Sequence, residues 1–381
     1  MKICSQCIYD ESVSQIEFDE NGKCNFCHQI ENLTEIYGTG SAKGEELFSG
    51  IVREIKKAGK GKPYDLIVGV SGGTDSSYML YLAKKLGLRP LAVHYDNTWN
   101  TSTATQNIQK ITEALDIDLY THVIDNKEAD DIFKAFLKAG VPELEASTDL
   151  GLAETLYRVA SQYKIKYIFE GHSFIEEGIT PIGKNYFDGK YIKSIHKLYG
   201  TRPLKTYPLM TFYRFLYWSI FKQIKKIRPF WYIDYNKEDA KRFLTATFGW
   251  EYYGGHHLEN RMTAFFHSYY IPKKFKIDYR NNTLSAQVRN KKTSREDALK
   301  AYHTPPYLEE NLVAYFKKRL EFTDHQFEGL MNQPLRFWYE FPTYKKRFER
   351  LRPLFKILTS FNLVPMSFYL KYCFPMKTDE K

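Results

Sequence analysis

Residues 65–79 read DLIVGVSGGTDSSYM. The apolar, partly β-branched run from Leu66 to Val70 predicts an inner strand of a parallel sheet that is covered on both faces. Two glycines interrupt this run, and apolar residues with helical spacing resume at Tyr78. Glycines let the backbone approach a ligand closely, and the start of a helix offers unpaired N–H groups with a partial positive charge. The stretch therefore predicts a strand, an anion-binding loop and a helix.

Strands and helices continue to alternate after this loop. Apolar runs and helical patterns predict strands at residues 90–95, 119–123 and 165–169, with helices at residues 102–115, 128–139 and 151–163. This alternation predicts an α/β fold with a doubly wound parallel sheet, in which ligands bind beyond the carboxyl ends of the strands. Asp96 and Asn97 lie at the end of the second predicted strand, and Gly171 and His172 lie at the end of the fourth. Asp149, just before a predicted helix, is interpreted as an N-cap.

The loop sequence also indicates which anion it binds. A Walker-type loop would carry a lysine where Thr74 and Asp75 stand, and the G-x-G-x-x-G fingerprint is absent. The pattern S-G-G-x-D-S after a strand resembles the pyrophosphate (PP) loop of the ATP pyrophosphatases, which cleave ATP between its α- and β-phosphates; an ordinary glycine-rich turn is the alternative.

That resemblance implies roles for individual residues. Asp75 would help to place a magnesium ion, and Ser71 and Ser76 would act with it in catalysis. The implied contacts to ATP are Ser71, Gly72, Gly73, Thr74, Asp75, Ser76, Ser77, Asp96, Asn97, Gly171 and His172. The tRNA-thiolating branch of these enzymes carries paired acidic residues after the fourth strand, so Glu176 or Glu177 is a second candidate contact for magnesium.

Four cysteines near the start of the chain have the spacing of a metal site. Cys4-x-x-Cys7 and Cys24-x-x-Cys27 are separated by 16 residues, with a turn signal before the second pair. This spacing is typical of a structural four-thiolate zinc site, in which each pair supplies two ligands and the intervening hairpin folds back. A disulfide pair and an iron–sulfur cluster are the alternatives. His28, which follows Cys27 directly, is interpreted as a bystander.

The sequence divides into four predicted parts. These are a zinc-binding module at residues 1–38, a linker helix at 39–62, an ATP pyrophosphatase domain at 63–207 and a mostly helical substrate or partner domain at 208–381. Residues 208–227 read as an aromatic helix that packs into the last domain or, alternatively, lies on a membrane surface.

Positive charge is concentrated in two segments of the 381-residue chain, whose formal net charge is +10. Residues 184–230 contain 11 basic side chains and 1 acidic side chain. Residues 336–381 contain 10 basic and 4 acidic side chains. This basic belt would attract a nucleotide sugar, RNA, an anionic membrane or an acidic partner, although a solvated lysine-rich face gives the same pattern. Charge alone does not decide among them.

Composition and patterning exclude several classes of protein. A hydrophobic content of 43% with 16% aromatic residues suits a globular enzyme and argues against disorder. The sequence shows no secretory signal and no apolar run of about 18 residues. A cytoplasmic location is therefore expected, and contact with a membrane would be at most peripheral.

A second, more specific resemblance covers nearly the whole chain. The paired CxxC motifs and the SGGxDSS loop are joined by D-N-x-W-N at residues 96–100 and G-H-S-x-x-x-E-G at 171–178. G-W-E-Y-Y-G-G-x-H-x-E-x-R follows at 249–261, and S-Y-Y-I-P-K-K-F at 268–275. Together these motifs resemble the N-acetyl sugar amidotransferases.

This resemblance implies an ATP-dependent ligase. It would convert the acetamido group of a nucleotide-linked N-acetyl sugar into an acetamidino group, with release of AMP and pyrophosphate, for a bacterial surface polysaccharide such as the LPS O-antigen. It also implies a glutaminase partner with a channel barrel that supplies ammonia. No protein nucleophile is required, which fits the absence of a convincing one.

Cysteine usage favours this function over its rivals. Position 2 is Lys2 rather than a cysteine nucleophile, and no cysteine lies in a G-x-C-x-G elbow, so ammonia must come from outside. Thiolating relatives carry cysteines near the ATP site, whereas Cys373 is the only cysteine outside the two pairs. A tRNA-modifying ATP pyrophosphatase and a zinc-bearing scaffold at the membrane remain as alternatives, and neither DNA nor RNA is the expected partner.

For the substrate, the loop at residues 249–261 and the basic belt are the candidates. The predicted contacts are Glu177, Lys193, Lys205, Glu251, His256, Glu259 and Arg261. Arginine suits phosphate oxygens because it donates two parallel hydrogen bonds. An interdomain surface or a partner interface is the alternative for each of these residues.

Overall fold

A five-stranded parallel sheet lies at the centre of the computed structural model, which describes residues 2–179, 185–255, 258–361, 363–364 and 366–375. The strands are β1 Leu66–Val70, β2 Pro90–Asp96, β3 Leu119–Val123, β4 Tyr167–Phe169 and β5 Lys225–Ile227. Their order is β3-β2-β1-β4-β5. Strands β2 and β3 are therefore added on one side of β1, and β4 and β5 on its other side. The predicted doubly wound parallel sheet is confirmed.

Helices cover both faces of this sheet. The first ten α-helices are α1 Asn25–Tyr37, α2 Ala42–Gly59, α3 Thr74–Lys85, α4 Ser102–Ala114, α5 Asn126–Ala139, α6 Ala146–Gln162, α7 Phe174–Glu177, α8 Gly189–Tyr199, α9 Phe212–Leu216 and α10 Lys237–Phe248. Leu80 of α3, Ile108 of α4 and Leu244 of α10 pack into one apolar cluster with Val68 of β1. Helix α6 packs against the opposite face of the sheet.

The C-terminal region is helical, as predicted. It contains α11 Arg261–Phe265, α12 Arg280–Arg289, α13 Arg295–His303, α14 Leu312–Arg319, α15 Asp324–Asn332, α16 Lys345–Arg350, α17 Arg352–Ser360 and α18 Met366–Tyr372, with π-helical turns at Tyr217–Phe221 and Phe266–Phe275. The rings of Phe265 and Phe316 stack with centroids 3.5 Å apart in the core that joins this region to α5 and α8. Within the described residues, no helix has both the length and the apolar character needed to cross a bilayer.

Two local predictions were wrong. The helix predicted at residues 208–227 occupies only residues 212–221, and Lys225–Ile227 is an edge strand that pairs with β4. The strand was not predicted because its two lysines interrupt the apolar pattern of a buried strand. An edge strand tolerates such charged side chains. Asp149 is not an N-cap, since α6 begins at Ala146 and Asp149 lies in its first turn. The domain boundary at residue 208 stays a prediction, although the sheet itself extends to Ile227.

The N-terminal cysteine module is a hairpin followed by α1. The hairpin turns between Asp19 and Lys23, as predicted, and leads Cys24 back beside the first pair. Arg295 of α13 donates from Nε to the carbonyl oxygens of Cys4 and Cys7 at 3.1 and 3.2 Å. The module is therefore anchored to the helical C-terminal region.

Candidate active site

The glycine loop joins β1 to α3 at the carboxyl edge of the sheet. Gly72 has a φ of +81°, and a Cβ there would lie 2.1 Å from the carbonyl oxygen of Ala104, so the position requires glycine. Gly73 caps α3, whose first turn contains Thr74 and Ser77. The loop thus presents a helix N-terminus at the edge where the fold is expected to bind anions.

Side chains from distant parts of the chain hold the loop in place. The carbonyl oxygen of Gly72 accepts hydrogen bonds from Trp250 Nε1 at 3.0 Å and from Asn107 Nδ2 at 3.3 Å. The Asn107 amide also bonds the backbone N–H and C=O of Glu251. Asn107 could not be assigned this role from the sequence, because its partners lie far away along the chain.

Within the loop, hydroxyl groups bond the backbone. Ser71 Oγ accepts from Gly73 N–H at 3.2 Å, and Ser76 Oγ donates to the Gly73 carbonyl at 3.1 Å. Thr74 Oγ1 is buried and has no hydrogen-bond partner among the described residues. A buried polar atom of this kind is normally satisfied, so a ligand oxygen at the loop would complete its bonding. The loop residues therefore fit a phosphate group.

Asp75 forms a charged cluster with residues from α7 and α10. Its Oδ1 accepts from Tyr235 OH at 2.5 Å, and its Oδ2 lies 2.7 Å from Lys237 Nζ. Lys237 Nζ also lies 3.2 Å from Glu177 Oε1. Burial opposes the charged amine, but the carboxylates of Asp75 and Glu177 outweigh it and raise the pKa of Lys237. Lys237 was not among the predicted site residues.

A third carboxylate lies at the loop. Glu259 is buried, and its Oε1 accepts from Ser71 Oγ at 3.4 Å. With Asp75 and Glu177, it makes three carboxylates near the loop, and in the described part of the chain Lys237 is the cation that pairs with Asp75 and Glu177. A polyphosphate would be repelled by this excess of negative charge unless a divalent cation accompanied it. Carboxylate oxygens are the ligands that Mg²⁺ takes in phosphate sites, so these residues fit Mg²⁺.

The next strand end forms a tight polar turn. Asp96 Oδ1 accepts from Thr98 N–H at 2.7 Å, and Asn97 Oδ1 accepts from Asn260 Nδ2 at 2.8 Å. Asn260 pairs with Asn100 in an isolated antiparallel bridge, which ties the C-terminal region to this edge of the sheet. Asp96 and Asn97 therefore shape the site, and their predicted contact with ATP stays a prediction.

The end of β4 lies beside the loop. A Cβ at Gly171 would stand 3.3 Å from Asp75 Cβ, which places this glycine directly against α3. His172 accepts from Trp231 Nε1 on its Nδ1 at 3.3 Å, so its Nε2 carries the proton and donates to the Gly178 carbonyl at 3.1 Å. Burial, followed by the Arg228 guanidinium, lowers the pKa of His172 and keeps the ring neutral.

Strand β5 and the residue that follows it add two cations that the sequence interpretation missed. Lys226 Nζ lies 3.1 Å from Glu170 Oε1, and Arg228 donates to Glu170 Oε2 at 2.6 Å. Burial opposes ionisation of Glu170, but Arg228 and Lys226 outweigh it and lower the pKa of this carboxyl. The pairing follows from the parallel register of β4 and β5, because it aligns their carboxyl ends.

One large cavity of about 980 Å³ borders this edge of the sheet, although Asp75 and Lys237 are not among its lining residues. It is lined by Ser71 at the loop, by Gly171 and Arg228 at the strand ends, and by Gln29 of α1. Its far end is aromatic and contains residues of α9, α16 and α18, including Phe368. This volume lies within the range of small-molecule sites and has room for more than a single nucleotide base.

The predicted substrate residues do not all converge on this cavity. Glu177 and Glu259 line it. Glu251 is exposed and pairs with Lys110 at 2.6 Å, while Arg261 packs over the Tyr315 ring at 4.7 Å. The remaining predicted contacts lie elsewhere: Lys193 borders a separate surface pocket, Lys205 is exposed beside α5, and His256 falls outside the described residues.

The four cysteine sulfurs converge on one point. Cys4, Cys7, Cys24 and Cys27 are buried, and their Sγ atoms all lie within 4.8 Å of one another, with two pairs at 3.9 Å. These separations are too long for disulfides. A tetrahedral ion with Zn–S bonds of about 2.3 Å needs S–S edges of about 3.8 Å, whereas a [4Fe–4S] cluster binds each thiolate to a different iron and spreads the sulfurs. The site thus fits a single metal ion, and His28 bonds Asp19 instead.

Part of the chain matches a described family. Residues 259–353 match the model of the family "LPS biosynthesis protein WbpG-like, C-terminal domain". This segment begins at Glu259, beside the glycine loop, and includes α11 to α16. Residues 259–353 are therefore similar to a domain of LPS biosynthesis proteins.

Other proteins are similar to this chain as well. The uncharacterized protein MJ1599 of Methanocaldococcus jannaschii is 32% identical over 171 residues, which are 44% of this chain and 58% of that protein. NMN synthetase from Francisella tularensis has 15% identity and a TM-score of 0.34, covering 77% of this chain and 97% of its own. The U34-tRNA thiolase NcsA from Methanococcus maripaludis has 15% identity and a TM-score of 0.32. The match covers 85% of this chain and 90% of the thiolase chain.

Proposed function

We propose that the protein is an ATP-dependent amidotransferase that acts on an N-acetyl sugar. The observation that carries this proposal is the position of the glycine loop: its Ser71 lines a large cavity, and part of the cavity wall comes from the region similar to LPS biosynthesis proteins. A site with two such walls suits the joining of ATP to a second substrate.

The proposed reaction proceeds in two steps. The acetamido oxygen attacks the α-phosphorus of ATP, the bond from that phosphorus to the bridging oxygen breaks, and pyrophosphate leaves. Ammonia then adds to the imidate carbon, and AMP departs with the former carbonyl oxygen to leave an acetamidine. In the overall reaction, the acetamide, ammonia and ATP are converted into the amidine, AMP and pyrophosphate.

The residues of the loop would act by position and charge. N–H groups at the start of α3, together with the hydroxyls of Ser71, Thr74 and Ser76, would hold the departing pyrophosphate. Lys237 would add a positive charge beside it. Asp75 and Glu177 would hold Mg²⁺, which neutralises phosphate charge when bound. The four cysteines would hold zinc in a structural role.

Ammonia is proposed to come from a separate glutaminase subunit with a channel barrel. None of the five cysteines, all of which the structure describes, lines the cavity beside the glycine loop. A thiol-dependent glutaminase or sulfur carrier would need one there. This argues for an external ammonia source and against tRNA thiolation, the main alternative.

The test supplies ATP, Mg²⁺ and ammonium with either a UDP-linked N-acetylhexosamine or bulk tRNA, and measures AMP and pyrophosphate. Release of AMP that depends on the sugar supports the proposal, and release that depends on tRNA supports the alternative. Release of ADP instead of AMP would contradict both, because the glycine loop would then not direct attack to the α-phosphorus.

A further inference from the structure

An exposed aromatic strip runs along the outside of α9 and the π-helical turn that continues it. Tyr213, Tyr217 and Phe221 follow one another at four-residue spacing and are 64%, 44% and 77% exposed. The rings of Tyr217 and Phe221 have centroids 6.2 Å apart. Three large rings on one face are more apolar surface than scattered exposed residues would give.

Cations flank this strip. Arg347 of α16 donates from Nη1 to Tyr213 OH at 2.9 Å, and Lys222 Nζ lies 5.5 Å from the centre of the Tyr217 ring. The sequence contains no acidic residue between Asp188 and Asp234. The strip is therefore an apolar surface in positively charged surroundings.

The inner side of the same segment is firmly packed. The Phe215 ring stacks on Phe368 with centroids 4.7 Å apart, and the buried Trp218 donates from Nε1 to Glu154 at 3.0 Å. The aromatic strip is thus the outer face of an anchored helix, and the described residues leave it exposed.

Helix α17 repeats the pattern. Leu354, Ile357 and Phe361 are exposed at three- and four-residue spacing, while Phe355 and Leu358 face the cluster that also packs against α9. Exposed cations surround this outer face, namely Lys346, Arg347, Arg350, Arg352 and Lys356. Glu349 is the only acidic residue between positions 345 and 361.

We propose that the aromatic strip and the outer face of α17 bind the surface of an anionic lipid bilayer. Aromatic rings are favoured at the boundary between headgroups and acyl chains, and basic residues beside them are attracted to anionic headgroups. The cations lie around both apolar faces rather than at one point, which matches a surface that is negative over its whole area. This proposal does not depend on the proposed reaction.

Co-sedimentation with vesicles tests the proposal. The unmodified protein should sediment with vesicles that contain phosphatidylglycerol and should remain in the supernatant with vesicles of pure phosphatidylcholine. Added salt should weaken this binding, because salt screens the attraction to the headgroups. The double variants Tyr217→Ser/Phe221→Ser and Ile357→Ser/Phe361→Ser should each bind about tenfold more weakly.

Tyr307→Ser is the matched control, since Tyr307 is 69% exposed but has Glu309 and Glu310 nearby. It should bind vesicles as the unmodified protein does, and circular dichroism should show all variants folded. Failure of the unmodified protein to bind anionic vesicles would overturn the proposal, as would equal binding by the double variants. A dimer in sedimentation velocity that the double variants lose would assign the faces to a second copy instead.

Discussion

Lys237 Nζ lies 2.7 Å from Asp75 Oδ2 and joins the start of α10 to the first turn of α3. The two residues are 162 positions apart, yet they form the charged centre of the site together with Glu177. Both side chains are about one-fifth exposed, so their attraction is only partly screened by water. The ammonium thus keeps two carboxylates close together at the glycine loop.

Replacing this ammonium tests its role in the fold. Lys237→Met leaves Asp75 and Glu177 facing each other without a cation, so the free energy of unfolding should fall by about 2 kcal/mol. Lys237→Arg should lose less, because it keeps the charge. The matched control is Lys241→Met on the same helix, whose partner Glu238 is exposed, with an expected change within about 0.5 kcal/mol. Urea unfolding measures all three, and equal losses for Lys237→Met and Lys241→Met would contradict this role.

Asp75→Asn separates the fold from the proposed chemistry. The amide keeps the size of the side chain and its contact with Tyr235, but it is a poor ligand for Mg²⁺ and carries no charge for Lys237. AMP formation should be lost while circular dichroism still shows a folded protein. Asp239→Asn, an exposed position on α10, should keep full activity. Full turnover by Asp75→Asn would remove this residue from the mechanism.

Gly72→Ala should break the loop. The added Cβ would lie 2.1 Å from the Ala104 carbonyl oxygen, and the backbone φ of +81° is unfavourable for alanine. The expected loss in the free energy of unfolding is about 3 kcal/mol or more. Gly61 has a similar φ of +76° but open space around it, so Gly61→Ala should cost only about 1 kcal/mol. Thermal unfolding measures both variants. Equal losses of stability for Gly72→Ala and Gly61→Ala would show that the contact with Ala104 is unimportant.

The sequence was sufficient for the parts of the fold that depend on local pattern. The β-branched run at Leu66–Val70, the glycines after it and the spacing of the two cysteine pairs each specify a local structure with little help from the rest of the chain. The glycine loop and the cysteine site could therefore be located. β5 was missed because its lysines lie on an edge strand, where apolar alternation is not required.

Residues brought in by tertiary contacts could not be found in this way. Asn107 and Trp250 meet at the Gly72 carbonyl, although 143 positions separate them in the sequence. Nothing in the local sequence of Lys237 distinguishes it from other lysines at the start of a helix. Its partners are set by the packing of α10 on α3, which no short stretch encodes.

Removing one sulfur ligand tests the metal site. Cys24→Ser replaces a thiolate by a hydroxyl that binds zinc poorly, so metal content should fall below one ion per chain and stability should fall with it. Cys373→Ala is the control: this thiol is buried in another cluster, so its loss lowers stability without changing metal content. Elemental analysis gives the stoichiometry. One zinc ion per chain in Cys24→Ser would rule out a four-cysteine site.

Glu143 should make stability depend on pH. It is 3% exposed, accepts from Tyr191 OH at 2.7 Å, and burial raises its pKa from 4.5 to about 7. Between these values the folded protein keeps a proton that the unfolded chain has released, so the free energy of unfolding falls as pH rises through this range. The accumulated loss above pH 7 is about 3 kcal/mol.

Glu143→Gln removes this ionisation while keeping the shape of the side chain. The variant should therefore be more stable than the unmodified protein at pH 8 and nearly equal to it below pH 5, and its stability should change less across that range. Glu113→Gln, an exposed glutamate on α4, should leave the profile unchanged. Urea unfolding at several pH values measures the difference. A profile for Glu143→Gln that parallels the unmodified protein would mean that the Glu143 carboxyl is not held protonated by burial.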